Sequence, residues 1–131
     1  MKIVHDFCEQ NSEQIDLGQI EGGLVQGLGW MTMEEVFYDV EGRLRSNALS
    51  TYKVPDIYSA PATVEIESLG QAGSTLAIRK SKAVGEPPLM YGIGGFFAIQ
   101  NAIRAFNSKY TPAFAAPMTP ERVLLALYEN R

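Results

Sequence analysis

Glu86 is the one charged residue between Lys82 and Arg104. It sits in Lys82-Ala83-Val84-Gly85-Glu86-Pro87-Pro88-Leu89-Met90, and the run continues through Tyr91-Gly92-Ile93-Gly94-Gly95-Phe96-Phe97-Ala98-Ile99. A carboxylate in so apolar a setting must be neutralised, paired or used, because burying an unpaired charge is costly. A desolvated carboxylate makes a stronger base near neutral pH, which suits general-base catalysis. The competing expectation is an ion pair with Arg79, Lys80 or Lys82. Composition leaves the two open. Gly85 permits a turn or a close approach, and Pro87 biases Glu86 away from the α region, so the residues predict a rigid, non-helical corner.

Other residues carry weaker signals. Gln19 and Gln26 share a helical face with Gly23, and two amides on a glycine-lined surface suit a polar, ring-bearing ligand. Hydrogen bonding to neighbouring loops would account for them equally well. His5 and Cys8 are single residues of their kinds. They supply no metal-ligand set, and a structural histidine and an inert thiol are expected. Gly27-x-Gly29 and Gly92-x-Gly94-Gly95 lack the strand and the spacing of a phosphate-binding loop, so they read as packing features.

These residues need elements to place them. Met1 to Phe7 reads as a short strand without the pattern of a signal peptide, and Cys8 to Leu17 as a polar loop. A helix is predicted over residues 19–36, with Ile20, Leu24, Leu28 and Met31 on one stripe and Gly22, Val25, Gly29 and Met33 on a second. Four glycines inside it cost roughly 1 kcal/mol each relative to alanine. Either tight packing or the approach of a backbone or bulky ligand must offset that. Residues 36–44 suggest a hairpin turn, 46–58 an irregular segment, and 62–69 a half-exposed strand. After a turn at 70–74, a further strand is expected at 75–79. A second glycine-rich helix, over 91–107, should turn Ile93, Phe97 and Ala98 inward and Arg104 outward. Thr119-Pro120-Glu121 opens a last helix as cap, first-turn proline and favourable acid, with Val123, Leu124 and Leu127 as its packing face. The expected fold is one α+β domain, residues 1–131, in which a small mixed or antiparallel sheet packs against two glycine-rich helices and a C-terminal helix.

Composition sets outer limits. The chain has 131 residues, 46% hydrophobic and 20% charged, ordinary for one globular domain with a core. A net charge of −4 without a Lys/Arg cluster argues against nucleic acid or an anionic membrane surface. One cysteine excludes an internal disulfide and fits a reducing, cytoplasmic setting. The apolar stretch at 20–33 is too short to span a bilayer, and the second is broken by Glu86-Pro87-Pro88.

Three segments together carry a family resemblance. They are Ile15-Asp16-Leu17-Gly18-Gln19-Ile20-Glu21-Gly22-Gly23-Leu24-Val25-Gln26-Gly27-Leu28-Gly29, Ser50-Thr51-Tyr52-Lys53-Val54-Pro55, and Ser81-Lys82-Ala83-Val84-Gly85-Glu86-Pro87-Pro88. In this order they resemble the C-terminal part of the molybdopterin-binding domain of the xanthine dehydrogenase and aldehyde oxidase family, over nearly the whole chain. The resemblance implies that Glu86 is the catalytic glutamate, the general base in the oxidative hydroxylation of an aldehyde or N-heterocycle. It implies that Gln19 hydrogen-bonds the molybdopterin, and that Ala83, Val84 and Gly85 line the cofactor and keep Glu86 dry. The glycine-rich helix would then lie near a large planar cofactor. Most of that family's domain lies outside this chain, and iron–sulfur clusters need cysteine sets that it lacks. The resemblance therefore implies a fragment, split subunit or remnant whose partners are the remaining molybdenum-binding portion and iron–sulfur and flavin domains or subunits. Alone, it is expected to hold no cofactor, to be inactive, and to self-associate through an exposed apolar face. The alternative expectation is a non-catalytic structural or interaction module that retains the fold.

Overall fold

Alternation sets the first element. In β1 (Lys2–His5), Ile3 and His5 turn inward and Lys2 and Val4 outward, the period-two pattern of a half-buried strand. A computed structural model describes residues 1–70 and 77–129 of the chain. β2 (Glu65–Ser68) pairs with β1 in register from Lys2 opposite Glu65 to His5 opposite Ser68. The pairing is parallel, which corrects the expected mixed or antiparallel sheet. Between the two strands the chain passes through a 20-residue helix and a long irregular segment. Such a crossover brings the second strand back in the direction of the first, which a tight hairpin cannot do.

That helix, α1 (Glu13–Thr32), begins six residues earlier than the pattern predicts and ends four residues sooner. Its first turn carries Glu13 and Asp16, acids that favour the positive end of a helix, so polarity there marks a helix start and not a loop. At the far end Met33 and Glu34 both donate backbone N–H bonds to the Gly29 carbonyl, which closes the last turn. The hairpin turn is present: Tyr38 and Leu44 form an antiparallel bridge, and Gly42 adopts φ +78° beside it. The Asp39 carboxylate holds it by accepting from the Glu41 and Arg43 amides at 3.1 and 2.8 Å. These bonds, led by that from the Arg43 amide, hold its carboxyl below the usual carboxylate range.

The strand expected at 75–79 lies partly outside the described residues. Its described end, Ile78–Lys80, is a 3-10 turn with Arg79 and Lys80 at φ 52° and 54°, geometry that interrupts a strand. A second 3-10 segment, Pro87–Gly92, leads directly into α2 (Ile93–Phe106). The inward face of α2 is Phe96, Gln100 and Ile103, not Phe97 and Ala98, which are exposed. Arg104 is exposed, as expected. α3 (Pro120–Tyr128) starts as its sequence predicts: the Thr119 hydroxyl accepts from the Arg122 amide, with Pro120 in the first turn. Val123 and Leu127 pack inward with Ala126, whereas Leu124 faces out.

Two apolar cores result. One joins the sheet to α1 through Ile3, Phe7, Ile20, Leu24 and Val84, with Tyr91 against it. The other joins α2 to α3 through Phe96, Ile103, Met118 and Ala126, with Met31 of α1 reaching across. Among the described residues the result is α+β, a small sheet with three helices.

Candidate active site

The 3-10 segment Pro87–Gly92 lies across α1 at almost backbone-to-backbone distance, and glycine makes this possible. A Cβ on Gly23 would meet the Pro88 Cβ at 2.9 Å and the Leu89 nitrogen at 3.2 Å. One on Gly27 would strike the Leu89 carbonyl oxygen, and one on Gly92 would lie 2.5 Å from the Gly27 Cα. Tight packing against a neighbouring backbone is therefore what these two helical glycines serve. Gly29 has a similar duty toward Pro55, whose Cδ would sit 2.7 Å from an added Cβ. That contact places the Ser50–Pro55 stretch, in which the Tyr52 hydroxyl donates to Glu34 at 2.6 Å. The Glu34 carboxylate, as acceptor of that bond, holds the Tyr52 phenol above its usual range. Gly23, Gly27 and Gly29 thus face protein, whereas Gly18 and Gly22 of the same helix face open space.

Glu86 immediately precedes that 3-10 segment. Its backbone is at φ −96°, ψ −38°, in the α region, contrary to the bias of a following proline. The Leu89 amide donates to the Glu86 carbonyl at 3.0 Å, and closing this turn offsets the local preference. The side chain is exposed, so the described residues do not supply the dry setting expected for it. Sequence neighbours are apolar, yet they pack away from the carboxylate: Val84 and Pro88 are buried while Gly85, Glu86 and Pro87 are at the surface. The simple ion pairs do not form either. Lys80 pairs with Glu9 at 3.3 Å, Lys82 pairs with Asp6, and among the described residues no cation reaches Glu86.

Gln19 is exposed on α1, and its Oε1 lies 3.4 Å from where a Gly85 Cβ would be. The structure therefore brings together Gln19 and Gly85, with Glu86 the next residue. Ala83 is exposed beside them, and Val84 is 8% exposed and belongs to the first core. Gln26 is exposed on the same helix without Gly23, which is covered. Among the described residues no group of His, Cys, Asp and Glu could hold a metal ion. A pterin-type group fits on different grounds. Gln19 offers a donor and an acceptor at the surface, and Gly18 and Gly22 leave the adjoining helix surface bare for a flat ring.

His5 is structural, as expected, and the sequence did not show its partner. His5 is 6% exposed, and its Nδ1 lies 2.5 Å from the Tyr91 hydroxyl. Burial pushes its pKa down against the opposing pull of Asp6. The unfolded chain then binds more protons than the folded one as pH drops through about 6.5, so stability present above that value is lost through this window. A lower urea midpoint at pH 5.5 than at pH 8 is expected, and the difference should shrink in His5→Gln. An undiminished difference in that variant would assign the pH dependence elsewhere. On the other side of β1, the Asp6 carboxylate is held below its usual range, chiefly by its hydrogen bond with Lys82.

Comparison with known proteins places this geometry. The profile of the Molybdopterin cofactor-binding domain matches residues 1–61. Xanthine dehydrogenase/oxidase from Rattus norvegicus is 43% identical over 127 residues, covering 92% of this chain and 10% of the relative. Xanthine dehydrogenase from Dictyostelium discoideum is 38% identical over 132 residues, covering 98% and 10%. In three dimensions the chain resembles quinoline 2-oxidoreductase from Pseudomonas putida 86, with a TM-score of 0.81 and 27% identity over 98% of this chain and 16% of that one. The chain thus spans about a tenth of the length of the curated relatives it matches. No helix among the described residues is long and apolar enough to cross a membrane. With sequence and fold agreeing along nearly its whole length, the chain belongs to the xanthine dehydrogenase and aldehyde oxidase family of molybdopterin-dependent oxidoreductases.

Proposed function

We propose that this chain forms the part of a molybdenum hydroxylase that supplies the general base, acting on an aldehyde or an N-heterocycle. The observation that carries the reading is the approach of Gln19 to Gly85, the residue before an exposed Glu86 whose carboxylate has no ion pair among the described residues. Oxidative hydroxylation of a C–H carbon by water inserts one oxygen and releases two electrons and two protons. A bound molybdopterin cofactor supplies the redox chemistry. The chain's own residues bind, orient and move a proton. The Gln19 amide would hydrogen-bond the cofactor edge, and Gly85, lacking a side chain, would let that edge approach beside it. The Glu86 carboxylate would accept one proton. It needs a dry surrounding to be an effective base, and this chain leaves it exposed, so the rest of the site must exclude the water.

The remaining molybdenum-binding portion of the family's domain is then the partner, with iron–sulfur and flavin components carrying the electrons onward. An apolar groove between α2 and α3, lined by Ile99, Ile103, Met118, Val123 and Leu127, supports a chain that docks on something larger. The test is co-expression with that remaining portion of a family member, followed by assay of aldehyde and N-heterocycle oxidation. Cofactor retention and turnover of one substrate class are expected. A complex that retains cofactor yet turns over neither class would overturn the proposal.

A further inference from the structure

Glu86 has no side-chain partner among the described residues, so its place is fixed by what holds its backbone. Contact with α1 at Gly23 and Gly27 seats the middle of the Pro87–Gly92 segment on the helix but does not by itself set the tilt of its two ends. That tilt comes from hydrogen bonds, and they converge on one place, the end of β1. Before Glu86, the Lys82 amide donates to the Phe7 carbonyl at 3.2 Å, and the Lys82 ammonium pairs with Asp6. After it, the Tyr91 hydroxyl meets His5 Nδ1 at 2.5 Å. That is the side-chain hydrogen bond which, among the described residues, ties the 3-10 segment to another element. His5 is itself fixed: its carbonyl accepts from the Leu69 amide at 3.0 Å, and its ring packs at 5.7 Å from Phe7 and edge-on at 5.9 Å from Tyr91.

We propose that His5 and Tyr91 are positioning residues, a buried cross-brace that sets the aim of the Glu86 carboxylate. The inference rests on the assignment of Glu86 as the base. The brace and the Lys82 contacts hold both flanks of the glutamate to three consecutive residues, His5, Asp6 and Phe7. With the Tyr91 end released, the segment can rock on its seat at Gly23 and Gly27 and carry the Glu86 turn with it. A shift of about 1 Å at a base can cost on the order of 100-fold in rate.

Tyr91→Phe keeps the ring in the core and deletes the bond. In the full chain, amide exchange at Leu89, whose N–H closes the Glu86 turn, is expected to quicken at least about tenfold while α3 amides stay unchanged. In the complex with the remaining molybdenum-binding portion, kcat should fall about 10- to 100-fold at unchanged KM, with an altered pH–rate profile. Unchanged Leu89 exchange would overturn the brace. Quickened exchange with an unaltered pH–rate profile would reduce it to a purely structural contact and overturn the positioning role. His5→Leu removes the same bond from the other side. If both variants fail to fold, the bond serves the whole fold and the positioning role is also overturned. Full turnover by Glu86→Gln would instead sink the base assignment, and the exchange result at Leu89 would still report on the brace by itself.

Discussion

Gly27→Ala is expected to cost at least about 3 kcal/mol of stability or to prevent folding, whereas Gly22→Ala is expected to gain up to about 1 kcal/mol. Both glycines lie inside α1, so alanine improves helix propensity equally at either position. Surroundings decide the sign. At Gly22 nothing lies within 4 Å of an added Cβ. At Gly27 the added carbon strikes the Leu89 carbonyl oxygen and comes within 3.1 Å of the Gly92 Cα. Both obstacles are backbone, so no rotamer change relieves them, and Pro87 and Pro88 stiffen the segment that would have to retreat. Ordinary overpacking in a core costs about 1–3 kcal/mol, and a clash between two backbones exceeds it. Urea unfolding followed by helix circular dichroism measures all three chains. Equal midpoints for Gly27→Ala and the parent would mean that the segment does not sit so close to α1. The effect also reaches the site, because Glu86 begins the segment that Gly27 seats.

The same pair of residues shows where sequence runs out. Glycines in a helix announce that something must come close, yet Gly22 and Gly27 look alike in one dimension and only the fold says which is covered. The start of α3 was legible because a cap, a proline and an acid act over three neighbouring residues. The inward face of α2 was not. Its sequence is apolar almost all round, so period alone cannot separate Phe96 from Phe97, and the phase is set by Met118 and α3 packing against Phe96 and Ile103. Parallel pairing of β1 with β2 depends on a crossover of about 60 residues, which no local pattern encodes. The family resemblance named Gln19 and Glu86, but the exposure of Glu86 was hidden, because sequence gives a carboxylate's neighbours along the chain and not in space. The brace was hidden for the same reason: His5 and Tyr91 are 86 residues apart.

Glu86→Gln should lower turnover of the reconstituted enzyme by about 10²- to 10⁴-fold, the span that a positioned general base contributes. Glutamine has nearly the same size and keeps hydrogen-bonding capacity, but it cannot accept the proton. Substrate and cofactor contacts are otherwise intact, so the loss belongs in kcat at little changed KM. Stability separates this from damage to the fold. The side chain is exposed and has no ion pair among the described residues, so the unfolding free energy should change by no more than about 0.5 kcal/mol. Gln19→Ala provides the contrast, since it removes an amide beside Gly85 and leaves the base in place. Its expected effect is weaker cofactor retention, with residual turnover in proportion to the cofactor retained. A Glu86→Gln enzyme that turns over normally with full cofactor would remove the proton-acceptor role, and the conjunction of Gln19 and Gly85 would then describe a binding surface alone.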